Sequence, residues 1–198
     1  MTHAARHDKK QLILEATLQL LASSGFHGFS MKQLASQAGV ATGTIYLYFK
    51  DRDTLIAELH SQIIHDFADA VFSDHDPKQN LKQQYQQICA KLWHFCINHR
   101  CVTLSKAQFD HLPTDVLRSQ REVAWQRLQP LRDLFEQGRQ QGLIKTLTDD
   151  VLASLSFEPY TYMASQYLLE VIDVDESQLQ QIMDASWDAI ATDAGHAR

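Results

Sequence analysis

The 198-residue sequence predicts an all-α protein, with a compact three-helix unit at its N-terminal end followed by a larger helical body. Apolar residues recur every three or four positions along most of the chain, the pattern of helices that bury one face. Leu, Ala, Gln and charged residues outweigh the β-branched ones, which favours helix over strand. Glycines and prolines fall where these periodic runs end or bend, as breakers should.

The first helix is expected over residues 8–24, capped by Asp8 and apolar along Leu12, Ile13, Ala16, Leu20 and Leu21. Gly25 stops it. Phe26 and Phe29, on either side of Gly28, then make a short apolar connector that plugs a small core. Ser30 and Gln33 form an S-x-x-Q capping box opening a second helix, which buries Leu34, Ala35 and Ala38. Gly39 ends that helix, because a left-handed residue is least costly without a Cβ, and Val40 is the buried hinge. From Thr42 to Tyr48 a third helix packs Ile45, with Phe49 four residues on, while Thr42, Thr44, Tyr46 and Tyr48 project elsewhere.

A long helix from Asp51 or Arg52 to about Ser73 carries Leu55, Ile56, Leu59, Ile63, Phe67, Ala70 and Val71 and joins head to body without a flexible linker. A turn over 73–77 leads to an amphipathic helix over 78–98 and a shorter one between Cys101 and His111. The helix reopening at Pro113 contains Pro130 and should be bent or divided near Gln126, since an interior proline removes a backbone bond. Thr148 caps the next helix, which Pro159 interrupts. The last runs from Glu176 to Ala191, and only the two ends of the chain look disordered.

The second and third helices, joined by a tight turn, make a helix-turn-helix pattern. Small residues at the front of the third helix, Gly43 among them, would let it approach a duplex closely, with Lys50 and Arg52 beyond it to reach phosphate. The net charge of −6 divides unevenly: residues 1–60 carry six Lys/Arg against five acids, leaving −7 on the remainder. That asymmetry fits a reader of nucleic acid carried on an acidic body.

The run LASQAGVATGTIYLYFKDRDTL, with its Gly-Thr-x-Tyr-x-x-Phe core, resembles the DNA-binding domain of the TetR family of transcriptional regulators across residues 8–58. Two departures stand out. Ala41 replaces the usual Ser or Thr cap of the recognition helix, a loss of roughly 1 kcal/mol, and Ser30-Met31 replaces a common Thr-Thr or Thr-Val pair. The resemblance implies a helix-turn-helix DNA-binding domain at 1–50 and a helical effector-binding and dimerisation domain at 51–198. It implies contacts to a double-stranded operator from Ser30, Met31, Lys32, Thr42, Gly43, Thr44, Tyr46, Tyr48, Lys50 and Arg52. It also implies a repressor, homodimeric on a pseudo-palindromic site and released by a small-molecule effector. An activator or ligand-independent DNA binder, and a ligand or protein-interaction module without operator binding, stay open beside it.

The body is rich in aromatic residues, and an apolar or aromatic effector is expected near Trp93, Phe109 and Trp125, with the acidic body favouring a cationic one. Excess apolar surface on the last two helices, Met183 and Ile190 included, predicts a four-helix dimer interface. Cys89, Cys96 and Cys101 are odd in number and lack C-x-x-C spacing, so buried thiols are expected rather than disulfides or zinc ligands. None of the ten histidines stands in metal-ligand spacing, and no phosphate loop or nucleophile motif is present. No metal, cofactor or catalytic residue is therefore expected. With no signal-peptide pattern and no run near the ~20 apolar residues of a membrane span, a cytoplasmic protein is expected.

Overall fold

The computed structural model describes residues 3–196, with side chains described over 8–195. The extreme ends, expected to be disordered, lie outside the described residues. Chain contacts divide the protein into two units. One takes the chain up to His65 together with Leu104–Ala124; the other takes Asp66–Thr103 together with the chain from Trp125 onward. The expected boundary at residue 50 falls inside the first unit.

The first unit, the head, is built on α1 (His3–Ser24), α2 (Met31–Gln37), α3 (Thr42–Tyr46) and the beginning of α4 (Arg52–Phe72). On α1 the buried stripe is Ile13, Leu14, Thr17 and Leu21, while Leu12 is half exposed. Thr17 joins this stripe because its hydroxyl donates to the Ile13 carbonyl at 2.7 Å and leaves only its methyl to the core. Gly25 and Gly39 hold φ of 75° and 65°, ending α1 and α2 as expected. The capping box of α2 is complete: Ser30 Oγ accepts the Gln33 N–H and Gln33 Oε1 accepts the Ser30 N–H. Ala41 caps α3 with no side-chain bond. Ile45 and Phe49 are buried, as are Leu34, Leu55 and Ile56.

The same core contains Phe109 and Leu112. They stand on and just after a 3-10 turn, Lys106–His111, with Val116 and Leu117 packed behind them. Phe109, expected to wall an effector site in the body, is a core residue of the head.

The body contains α5 (Leu81–Asn98), α6 (Arg100–Ser105), the end of α7 (Thr114–Arg127), α8 (Gln129–Gln140), α9 (Asp149–Ser156), α10 (Glu158–Leu168), α11 (Glu176–Ile190) and the short α12 (Asp193–His196). Both interior prolines divide helices. Pro130 and Pro159 each sit in the first turn of a new helix, where a missing N–H breaks no helical bond. An isolated antiparallel bridge pairs Ile144 with Ala191. The body core includes Tyr85, Cys89, Trp93, Cys96, Phe135, Tyr160 and Trp187. Met183 and Ile190 also belong to it, at 9% and 0% exposure, so the stripe expected to face a second copy is largely consumed within one chain. Among the described residues no helix is long and apolar enough to cross a membrane.

The His60 imidazole of the head is half-buried. The His60 ring packs on Phe109 at 4.9 Å between centroids, and Nδ1 lies 3.3 Å from Gln120 Oε1. Burial pushes its pKa below the ordinary 6.5; Gln120 works against this, Lys106 adds to the lowering and Asp110 opposes it. Since the folded head resists a proton that the unfolded chain accepts, the His60 contribution to stability is intact above about pH 6.5 and is lost as pH falls below it. Urea midpoints measured at about pH 7.5 and about pH 5.5 should therefore differ less for His60→Gln than for the native protein.

Candidate nucleic-acid interface

The turn between α2 and α3 determines what the head presents. Ile45 and Phe49, four residues apart, anchor one side of α3 in the core at 0% and 2% exposure. Gly43, Tyr46, Leu47 and Lys50 are left exposed on the other side. The spacing of Gly43, Tyr46 and Leu47 along the helical turn makes this a single outward face, and Lys50 is exposed just beyond it. Tyr46 is 52% exposed, well placed for a ring and hydroxyl to meet a base edge or a phosphate. Thr42 and Thr44 are half-buried at its margins, and Lys32 and Ser30 are exposed at the start of α2.

The remaining expected contacts are placed differently. Met31 and Tyr48 are half-buried against the head core. The Ser30 hydroxyl is occupied by its cap. Arg52 turns inward: its guanidinium donates to the carbonyls of Phe26 and Phe29, the latter at 2.9 Å, and lies 4.1 Å from the Phe29 ring centroid. A basic residue at the start of a helix reads in sequence as a phosphate partner. Here two carbonyls and two aromatic faces draw it into the fold, and burial lowers its pKa.

The Phe26 N–H is held as well: it donates to Gln108 Oε1 at 2.8 Å, and the Phe26 ring lies 5.6 Å from that of His111. Gln108 and Leu47 are residues that sequence reasoning missed. For Gln108 no local signal exists, because its partner is 82 positions away. Leu47 could have been found by its spacing from Gly43 and its position opposite Ile45.

The three residues expected at an effector site do not form one cluster. Phe109 is in the head core, Trp93 is buried in the body core, and Trp125 is a half-buried body residue whose Nε1 donates to Asp150 at 2.7 Å. An open depression of about 490 Å³ on the body is lined by Gln79, Gln83, Gln86, Gln87, Ala90 and Met183, and by none of those three.

Comparison with known families follows the same division. The family model "Bacterial regulatory proteins, tetR family" matches residues 13–59, and "Tetracyclin repressor-like, C-terminal domain" matches residues 80–191. The chain belongs to the TetR family of transcriptional regulators. An HTH-type transcriptional regulator of Haemophilus influenzae is 30% identical over 189 residues, spanning 94% of this chain and 97% of its own. The fatty acid metabolism regulator protein of Bacillus subtilis is 26% identical over 151 residues, 75% of this chain and 77% of its own. Among solved structures, a TetR-family regulator from Vibrio parahaemolyticus superposes with a TM-score of 0.79 at 33% identity, covering 93% of this chain and 99% of that one. The B. subtilis regulator FadR in complex with stearoyl-CoA shares the fold, with a TM-score of 0.75 at 19% identity over 91% of this chain and 98% of that one.

In this TetR-family head, the double grip on Phe26 should be measurable. Gln108→Leu strands a partly buried N–H and should lower head stability by about 1–3 kcal/mol, whereas Gln108→Glu keeps an acceptor and should recover most of the loss. Arg52→Lys should behave more like Arg52→Ala than like the native protein, since an ammonium cannot fork between two carbonyls. Urea unfolding of the four variants checks both statements.

Proposed function

We propose that this chain is a cytoplasmic repressor that binds a pseudo-palindromic operator as a homodimer and leaves it when a small-molecule effector enters the body. The outward face of α3 carries the reading: Gly43, Tyr46 and Lys50 are exposed while Ile45 and Phe49 fix the helix from behind. A short helix held on one side and bare on the other suits a major groove, which admits a helix and exposes distinguishable base edges. Of the expected contacts, Lys32, Thr42, Gly43, Thr44, Tyr46 and Lys50 are retained, while the Ser30 hydroxyl is assigned to capping α2. Arg52, Met31 and Tyr48 are assigned instead to holding the head together.

For the homodimer, α9 and α10 leave Val151, Leu155 and Tyr162 exposed at 43%, 43% and 67%. Exposed apolar residues of this kind on α9 and α10 fit a two-fold interface better than Met183 and Ile190 of α11, which are already buried. A two-fold protein in turn requires a two-fold site.

A long-chain acyl thioester is the favoured effector class. The fatty acid metabolism regulator of B. subtilis is a relative, and the FadR fold match is a complex with stearoyl-CoA. The dispersal of Trp93, Phe109 and Trp125 argues against a single aromatic cage for a cation.

Selection of duplexes from a random pool by the native protein, followed by affinity measurement, tests the reading. Tyr46→Ala should weaken the selected operator by about 1–3 kcal/mol with little effect on random DNA. Lys50→Ala should weaken both and reduce the salt slope by about one unit. Equal affinity for selected and random sequences would remove the operator assignment. Stearoyl-CoA should release the operator, and by linkage it must bind the DNA complex more weakly than free protein by the same factor; equal affinities in a titration of both would exclude it as effector.

A further inference from the structure

Most large apolar side chains of the head are inside, but Leu47 is 73% exposed, more than any other large apolar residue described. It is the C-cap of α3, with φ −74° and ψ −21°, so it continues the helical turn. Ile45, two positions earlier, is fully buried. Leu47 thus stands on the opposite side, in line with Gly43, Tyr46 and Lys50. An isobutyl group in water forgoes the stabilisation that burial would give, and nothing within the head provides it.

Gly43 is a second and independent observation. The other glycines of the head have internal reasons: Gly25 and Gly39 adopt positive φ, and a Cβ at Gly28 would lie 1.7 Å from the Ser24 carbonyl oxygen. Gly43 has neither a positive φ nor a crowded surrounding, since a Cβ there would meet nothing within 4 Å. Glycine inside a helix is costly relative to alanine. With no reason inside the fold, the remaining physical reason is the close approach of something outside it. Helical side chains lean toward the preceding turn, so the residue four positions on borders the gap over Gly43.

We propose that Gly43 and Leu47 form a notch that receives the C5-methyl group of a thymine, making Leu47 a specificity-determining residue. The thymine methyl is the apolar group that the major groove presents, and it lies beside hydrogen-bonding edges that Tyr46 and its neighbours can meet. Lys50 on the same face argues for a polyanion rather than an apolar protein partner. The assignment rests on the operator reading and adds to it which base feature this chain reads.

Deoxyuridine pairs as thymine does but lacks the methyl, so it isolates the contact. In the operator selected by the native protein, each thymine is replaced singly by deoxyuridine, and affinities are measured for the native chain, Leu47→Ala and Gly43→Ala. One thymine in each half-site should weaken native binding about four-fold on losing its methyl, which is ~0.8 kcal/mol for a group of that size. The same replacement should leave Leu47→Ala unchanged, because its partner is already gone. Gly43→Ala should keep the native melting temperature and lose operator affinity. An operator indifferent to deoxyuridine at every position, or a penalty undiminished in Leu47→Ala, overturns this proposal alone. Failure to enrich any sequence overturns the operator reading and this proposal with it.

Discussion

The backbone of Phe26 joins three stretches of chain far apart in sequence. Its N–H is taken by Gln108, its carbonyl by Arg52, and its ring lies against His111 and the Arg52 guanidinium. The connector between α1 and α2 has no helical bonds of its own to hold it, so these outside partners supply what secondary structure supplies elsewhere. The angle at which α2 leaves α1, and with it the placement of α3, depends on that connector. A head with Phe26 released would keep its helices yet lose the definition of its outward face.

The body is held by a different kind of interaction. Tyr85 and Tyr160 both reach Ser186 Oγ, at 2.9 and 2.8 Å, and the serine hydroxyl donates in turn to the Met183 carbonyl at 2.9 Å. The Cys89 thiol shares in this group, and burial pushes its pKa up to about 12. Burial raises both tyrosines above their ordinary value too. A hydroxyl cluster closed on itself inside an apolar core fixes the register of α5, α10 and α11 against one another, because any slip leaves several polar groups unsatisfied. The thiol is thereby kept protonated and unreactive at neutral pH.

Much of the head was legible in sequence because its signals are local. The Ser30 and Gln33 capping box, the stops at Gly25 and Gly39, and the inward pair Ile45 and Phe49 each depend on residues within four positions of one another. The prolines at 130 and 159 divided helices for equally local reasons. What escaped was long-range. The sequence reads Phe109 as a body residue because nothing near it reveals that it shares a core with Phe26, Leu55 and the rest of the head. Arg52 was expected at phosphate because its carbonyl partners lie 23 and 26 residues upstream. The apolar stripe of α11 was real, but periodicity cannot say whether Met183 and Ile190 meet their own chain or a second copy. The capping box of Asp175 and Gln178, by contrast, is as local a signal as that of Ser30 and Gln33.

A head closed by residues 104–124 is not a contiguous cassette. Phe109 and Leu112 complete a core begun at Ile13, and Gln108 steadies Phe26. An exchange of N-terminal segments between relatives would carry α1 to α3 without the brace that fits them, leaving an ill-matched apolar floor beneath the recognition helix. Single changes on the bare side of α3 leave that brace untouched, whereas recombination of whole readers would not. The brace ties the inheritance of the head to that of the chain that follows it.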